Sequence, residues 1–120
     1  MLLNEFIKTM EEIAPPALAQ QGDNVGLLVG REEQEIRRVL VALDCTPQVA
    51  QEAVDNGFDL VLTHHPLFYQ PQRRMLPHAP DTRAACILLR GGVGLYAAHT
   101  NLDAAPGGVN DVLAGLLGLE

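Results

Sequence analysis

Three apolar runs, each ending on residues able to bind a metal ion, constrain this chain more than anything else in it. Arg38-Val39-Leu40-Val41-Ala42-Leu43 runs into Asp44. Phe58 to Thr63 runs into His64-His65-Pro66, and Val93 to Ala98 runs into His99, with Asp103 four residues on. Helical periodicity fills the gaps: Val49, Ala50, Ala53 and Val54 mark one face, and Ala84, Ala85, Ile87 and Leu88 another. Thr46-Pro47 is a start signal for the first helix and Asn56-Gly57 a stop. Asp81 or Thr82 opens the second, and Gly91-Gly92 closes it. This alternation predicts β-α-β-α-β-α, an α/β domain with a mostly parallel sheet flanked by helices. The strands are nearly continuous in apolar residues, which predicts burial on both faces. In such a sheet the functional crevice lies beyond the carboxyl ends of the strands.

The flanks complete one domain over residues 1–120. Leu2, Leu3, Phe6, Ile7, Met10 and Ile13 recur at helical spacing, and Pro15-Pro16 stops that helix. Ala17 to Gln21 has room for a further turn. Gln21 to Asn24 is a turn signal, and Val25 to Gly30 reads as a short strand. Leu67 to Pro80 and the polar, Gly-rich stretch after His99 read as loops. Val109 to Leu117 reads as a last helix, apolar at Val112, Leu113, Leu116 and Leu117.

Charge narrows the partners. The net charge is −7 with a pI near 4.9, and the few basic residues are scattered apart from Arg37-Arg38 and Arg73-Arg74. That argues against direct nucleic-acid binding and against an anionic membrane surface. No run approaches the roughly 20 apolar residues that cross a bilayer, and no leader pattern is visible, so a cytoplasmic location is expected. Cys45 and Cys86 form no framework or C-x-x-C site and read as small core hydrophobes. The chain contains no serine, which excludes a Ser-His-Asp triad. No nucleotide-cradling glycine motif and no guanine-reading feature is present.

His64, His65 and Asp103 are the candidate metal ligands. Adjacent residues on an extended backbone point to opposite sides, so His64 and His65 suit two ions better than one. Asp103 has two carboxylate oxygens and is able to bridge two cations about 3.5–4 Å apart. His99 either ligates or orients Asp103. Asp44 is a ligand, an orienting acceptor or a strand stop. Two ions need more protein ligands than these residues supply.

Three stretches resemble the NIF-three-like dinuclear metal centre family, also known as GTP cyclohydrolase 1 type 2 homologues: D-N-V-G-L-L-V-G from Asp23, T-H-H-P-L-F from Thr63, and H-T-N-L-D-A-A-P-G-G-V-N-D from His99. The resemblance covers essentially the whole chain. It implies one lobe of an α/β fold of two related lobes, a homohexameric toroid, and two divalent ions, whether zinc, iron, manganese or magnesium. By motif, His64 holds one ion, His65 the other, and Asp103 is the third ligand from this half. His99 and Asn101 lie close by as orienting groups. The activity implied is that of a metal-dependent hydrolase acting on a nucleotide or other small phosphoester. The alternative is a non-catalytic, metal-binding, oligomeric interaction protein. Two departures stand out. Gly22 occupies the position where the family usually has Trp, and the family's further His and Glu ligands, near its C-terminus, have no counterpart here. The chain therefore reads as the N-terminal portion of the family fold.

Overall fold

The computed structural model describes residues 1–119. Four strands form one sheet: β1 (Gly26–Val29), β2 (Val39–Ala42), β3 (Leu60–Thr63) and β4 (Gly94–Ala97), in the order β1-β4-β3-β2. β2, β3 and β4 are parallel, as the βαβ alternation requires, and β1 pairs antiparallel with β4. The sheet is thus mostly parallel, with one antiparallel edge.

Helices cover both faces. α2 (Pro47–Asp55) and α3 (Arg83–Gly91) pack side by side on one face, over Val61 and Leu95. The Thr46 hydroxyl accepts from the Val49 amide at 3.2 Å, the N-cap that its sequence signalled. The two helices approach so closely that a Cβ on Gly91 would lie 2.4 Å from the Val54 side chain. α1 (Leu3–Ile13) covers the other face with Leu3 fully buried, and Phe6 meets the edge of Tyr96 at a centroid separation of 6.1 Å. Glu5 reaches back to accept from the Leu2 amide, closing the first turn of α1. A single 3₁₀ turn, Pro16–Leu18, follows the two prolines. The two cores alternate along the strands: Leu60 and Tyr96 face α1, whereas Val61 and Leu95 face α2 and α3.

Two expectations are corrected. β2 is not buried on both faces. It is an edge strand, and Val41 and Leu43 are 70% and 61% exposed. On the α1 side Val39 packs into the core, but beyond it Val41 and Leu43 border an open groove with Met10 and Leu102 and stay largely exposed. The polar stretch after His99 is not all loop: Thr100–Ala104 forms a short helix, α4. The last helix, α5 (Val109–Leu116), forms as its periodicity predicts, but its apolar residues are not buried. Val112, Leu113, Leu116 and Leu117 all face solvent. No helix among the described residues is long and apolar enough to cross a membrane.

Candidate metal centre

The sheet register assembles the site. Ala42, Thr63 and Ala97 lie side by side at the carboxyl ends of β2, β3 and β4. Two residues further along each strand come Asp44, His65 and His99. Pairing persists one step past the strands: the His65 amide donates to Leu43 at 3.0 Å, and the Ala98 amide donates to Thr63 at 3.0 Å. The Thr63 hydroxyl, itself buried, donates to the His65 carbonyl at 2.8 Å and sets the bend that presents the histidine pair.

His64, His65 and His99 converge. Their ring centroids are 5.2–5.6 Å apart, and one nitrogen of each lies within 4.8 Å of the other two. The expected divergence of His64 and His65 is therefore absent. The chain leaves extended geometry at Thr63, and both rings turn toward His99. The geometric argument for two ions, drawn from strand alternation, loses its basis at these residues.

Each imidazole is fixed through Nδ1. His64 Nδ1 lies 2.8 Å from the Ala98 carbonyl, His65 Nδ1 2.7 Å from Asp44 Oδ1, and His99 Nδ1 3.0 Å from Asp23 Oδ1. A carbonyl or carboxylate can only accept, so Nδ1 carries the proton in each ring and Nε2 keeps its lone pair. That is the arrangement in which metal-binding histidines are held, with the partner setting tautomer and orientation. The donor set fits a divalent cation by this chemistry.

Asp23, which local sequence marks as part of a turn and not as a site residue, is the best-held acid in the site. Its side chain is 2% exposed. Burial alone would raise its carboxyl pKa. Hydrogen bonds from the Thr100 hydroxyl, His99 and the Asn24 and Thr100 amides outweigh burial and hold it down at about 2. A pointer was present in the sequence, because Asp23 opens the first of the three motifs that carry the family resemblance.

Asp103 lies on α4 with Oδ1 3.4 Å from His64 Nε2. The pair is too far apart for a good hydrogen bond. Asp44 sits behind His65 as its acceptor. Asn101 is fully buried and faces away from the cluster. Its Nδ2 donates to the Ala14 carbonyl at 2.8 Å and its Oδ1 accepts from the His99 amide at 2.9 Å. It fixes the backbone of His99 and ties α4 to the end of α1. Burial pushes the thiol of Cys45, beside Asp44, up to about 11, which leaves it protonated and inert as a nucleophile.

Comparison with known proteins places the fold among solved relatives. Residues 1–120 match the Duf34/NIF3 (NGG1p interacting factor 3) family. The chain is 43% identical to a GTP cyclohydrolase 1 type 2 homolog of Clostridium perfringens (strain 13 / Type A), over all of this chain and 46% of that protein. It is 40% identical to a protein of the same description from Listeria innocua, over 97% of this chain and 31% of that one. Among solved structures it resembles a Bacillus cereus protein related to NIF3, with 38% identity, a TM-score of 0.91, and coverage of 100% of this chain and 33% of the other. It also resembles reduced HcgD from Methanocaldococcus jannaschii, with 40% identity, a TM-score of 0.92, and coverage of 100% and 48%. The chain spans less than half the length of these relatives. With its whole length matched and its fold shared, the chain belongs to the Duf34/NIF3 family.

Proposed function

We propose that this chain contributes His64, His65, His99 and Asp103 to a dinuclear divalent-metal centre of a hydrolase acting on a nucleotide or other small phosphoester. One observation carries the reading: three imidazoles at neighbouring strand ends are all held through Nδ1, so all three Nε2 atoms are free. Histidines that merely met solvent at strand ends would not share that constraint. The relatives' description as GTP cyclohydrolase homologues supports the reaction class.

Divalent ions held there would supply Lewis-acid polarisation of the scissile bond and a bound water of lowered pKa. The chain's own residues do the rest. Ala98, Asp44 and Asp23 hold the three rings against rotation. Asp103 has a second carboxylate oxygen beyond the one near His64, which suits it to bridge two ions or to accept the proton of a water lodged beside His64. Self-association belongs to the same reading, as a homohexamer of the kind that the family resemblance implies. The exposed apolar residues of α5 and β2 support it.

Metal content per chain tests the centre. We expect about two equivalents in the wild type and a loss of at least one in His65→Ala, with the folded signal retained. One equivalent in the wild type overturns the dinuclear assignment. Less than one, unchanged in the variant, overturns the site. Hydrolysis of guanosine triphosphate or of a generic phosphodiester that tracks metal content supports the reaction class, and a fully loaded protein inert toward both overturns it.

A further inference from the structure

A second concave feature lies beside the histidines. The connection from β3 to α3 runs from His64 to Thr82 without a helix or strand. Structureless connections of that length inside a compact domain are usually functional. This one is pinned at both ends. The Asn24 carboxamide donates to the Phe68 carbonyl. At the far end the buried Thr82 hydroxyl donates to the Leu76 carbonyl at 2.7 Å and accepts from the Leu76 amide at 3.1 Å.

Two clefts that share Gln72 lie along this segment. One, of about 560 Å³, is walled by Phe68, Tyr69 and Met75 against Gly22 and Asn24. The other, of about 320 Å³, is lined by Arg73, Arg74 and Asp81 among others. Both are of the size that holds small ligands. The first adjoins the candidate centre through the chain: Asn24 follows the acid that holds His99, and Phe68 lies three residues after His65.

The side chains along the clefts are complementary to one kind of molecule. The Tyr69 ring is 55% exposed and stacks on no other ring among the described residues. The Gln70 carboxamide is free of hydrogen bonds among the described residues. Arg73 and Arg74 form no ion pair among them, whereas Arg37 pairs with Glu35 and Arg38 lies over Phe58 at the opposite end of the sheet. The molecule carries a net charge of −7, and Asp23, Asp44 and Asp103 surround the histidines. An anionic ligand is repelled by most of this surface and is received where two adjacent guanidinium groups stand free.

We propose that these two neighbouring clefts form a recognition surface for a phosphorylated heteroaromatic ring, with Tyr69 stacking on the ring, Gln70 meeting its edge, and Arg73 and Arg74 holding its phosphate; Gln72, whose Nε2 donates to the Gln70 carbonyl at 3.2 Å, braces the segment between them. The ligand class is nucleotide-like. Its role as substrate rests on the hydrolase reading above, but its binding does not. Guanosine monophosphate, guanosine and inorganic phosphate are the probes, titrated calorimetrically into the chain in the presence of EDTA so that no metal holds the phosphate.

Guanosine monophosphate is expected to bind at least about tenfold more tightly than either of the other two. The Arg73→Ala/Arg74→Ala double variant lowers its affinity about tenfold or more, and Arg73→Lys/Arg74→Lys restores most of the loss. Tyr69→Ala weakens guanosine monophosphate and guanosine alike by about fivefold or more, and Arg37→Ala changes neither. No binding of guanosine monophosphate by the wild type, or equal binding by all variants, overturns the proposal. Metal content read on EDTA-free samples of the same preparations separates the two readings. Metal bound without guanosine monophosphate binding sinks the cleft and leaves the centre. Loop-dependent binding without metal sinks the hydrolase and leaves the cleft.

Discussion

At the scale of single residues, Asp23 sets the geometry of the third imidazole. Its folded-state pKa of about 2 lies below the ordinary value of 3.8, so the folded state favours the charged form. The stabilisation it gives is complete above about pH 4 and is lost as pH falls through about 2. For a carboxylate this buried the contribution is at most about 2 kcal/mol. In the metal-free chain, Asp23→Asn is therefore expected to flatten the acid limb of the stability profile between about pH 4 and 2, read by urea denaturation at each pH. The same substitution frees the His99 ring and is expected to weaken divalent-metal binding about 10- to 100-fold at neutral pH, the usual effect of losing a ligand's orienting partner. An unchanged acid limb together with unchanged affinity would show that Asp23 holds nothing that matters.

At the scale of elements, what distinguishes the strands is position in the sheet and not composition. All four residues of β2 are apolar against three of four in β3, yet β3 lies between two strands and two helix layers, and β2 has an open edge and a partly bare face. Two identical substitutions separate them. Leu60→Ala, in a fully buried position on β3, is expected to cost about 2–5 kcal/mol by denaturant unfolding. Leu43→Ala, just past β2, is expected to change stability by less than about 0.5 kcal/mol. Equal losses would mean that something covers the β2 face in solution. α4 shows the converse effect. Thr100–Ala104 is too short to hold its shape by helix propensity alone. Its packing on the 3₁₀ turn and the Asn101 bonds to Ala14 and His99 make it ordered.

At the scale of the whole molecule, the shape is less compact than the chain length alone suggests. The radius of gyration is 14.8 Å, against about 13.6 Å for a typical 120-residue domain. α5 exposes more large apolar side chains than any other described helix. It packs mainly on α4 and turns Val112, Leu113, Leu116 and Leu117 outward, with Leu116 80% exposed. A contiguous apolar face of this kind marks an association surface. Light scattering after size exclusion is expected to show this chain self-associated, and Leu113→Gln/Leu116→Gln to shift it toward monomer with the unfolding free energy of the monomer little changed. A wild-type chain that elutes as a monomer at micromolar concentration would remove the oligomer from the proposed function.

Much of this molecule was legible in its sequence, because local rules dominate where they agree. Periodicity and cap signals located α1, α2, α3 and α5, and the apolar runs located β2, β3 and β4 to within a residue or two. The same runs delivered Asp44, His64, His65 and His99 to one end of the sheet, since parallel strands joined by helices all point the same way. Tertiary structure decided the rest. Strand order made β2 an edge, and no residue within β2 encodes its neighbours. The bend after Thr63 turned two adjacent histidines toward one point, through a hydroxyl bond and a ladder step that depend on strands far away in sequence. Asp23 reached His99 across 76 positions, a contact that no local pattern specifies. Local sequence determines which residues form each element, through short-range sterics and hydrogen bonding. Which of them meet is decided by how the layers bury their apolar faces, and that is a property of the assembled chain.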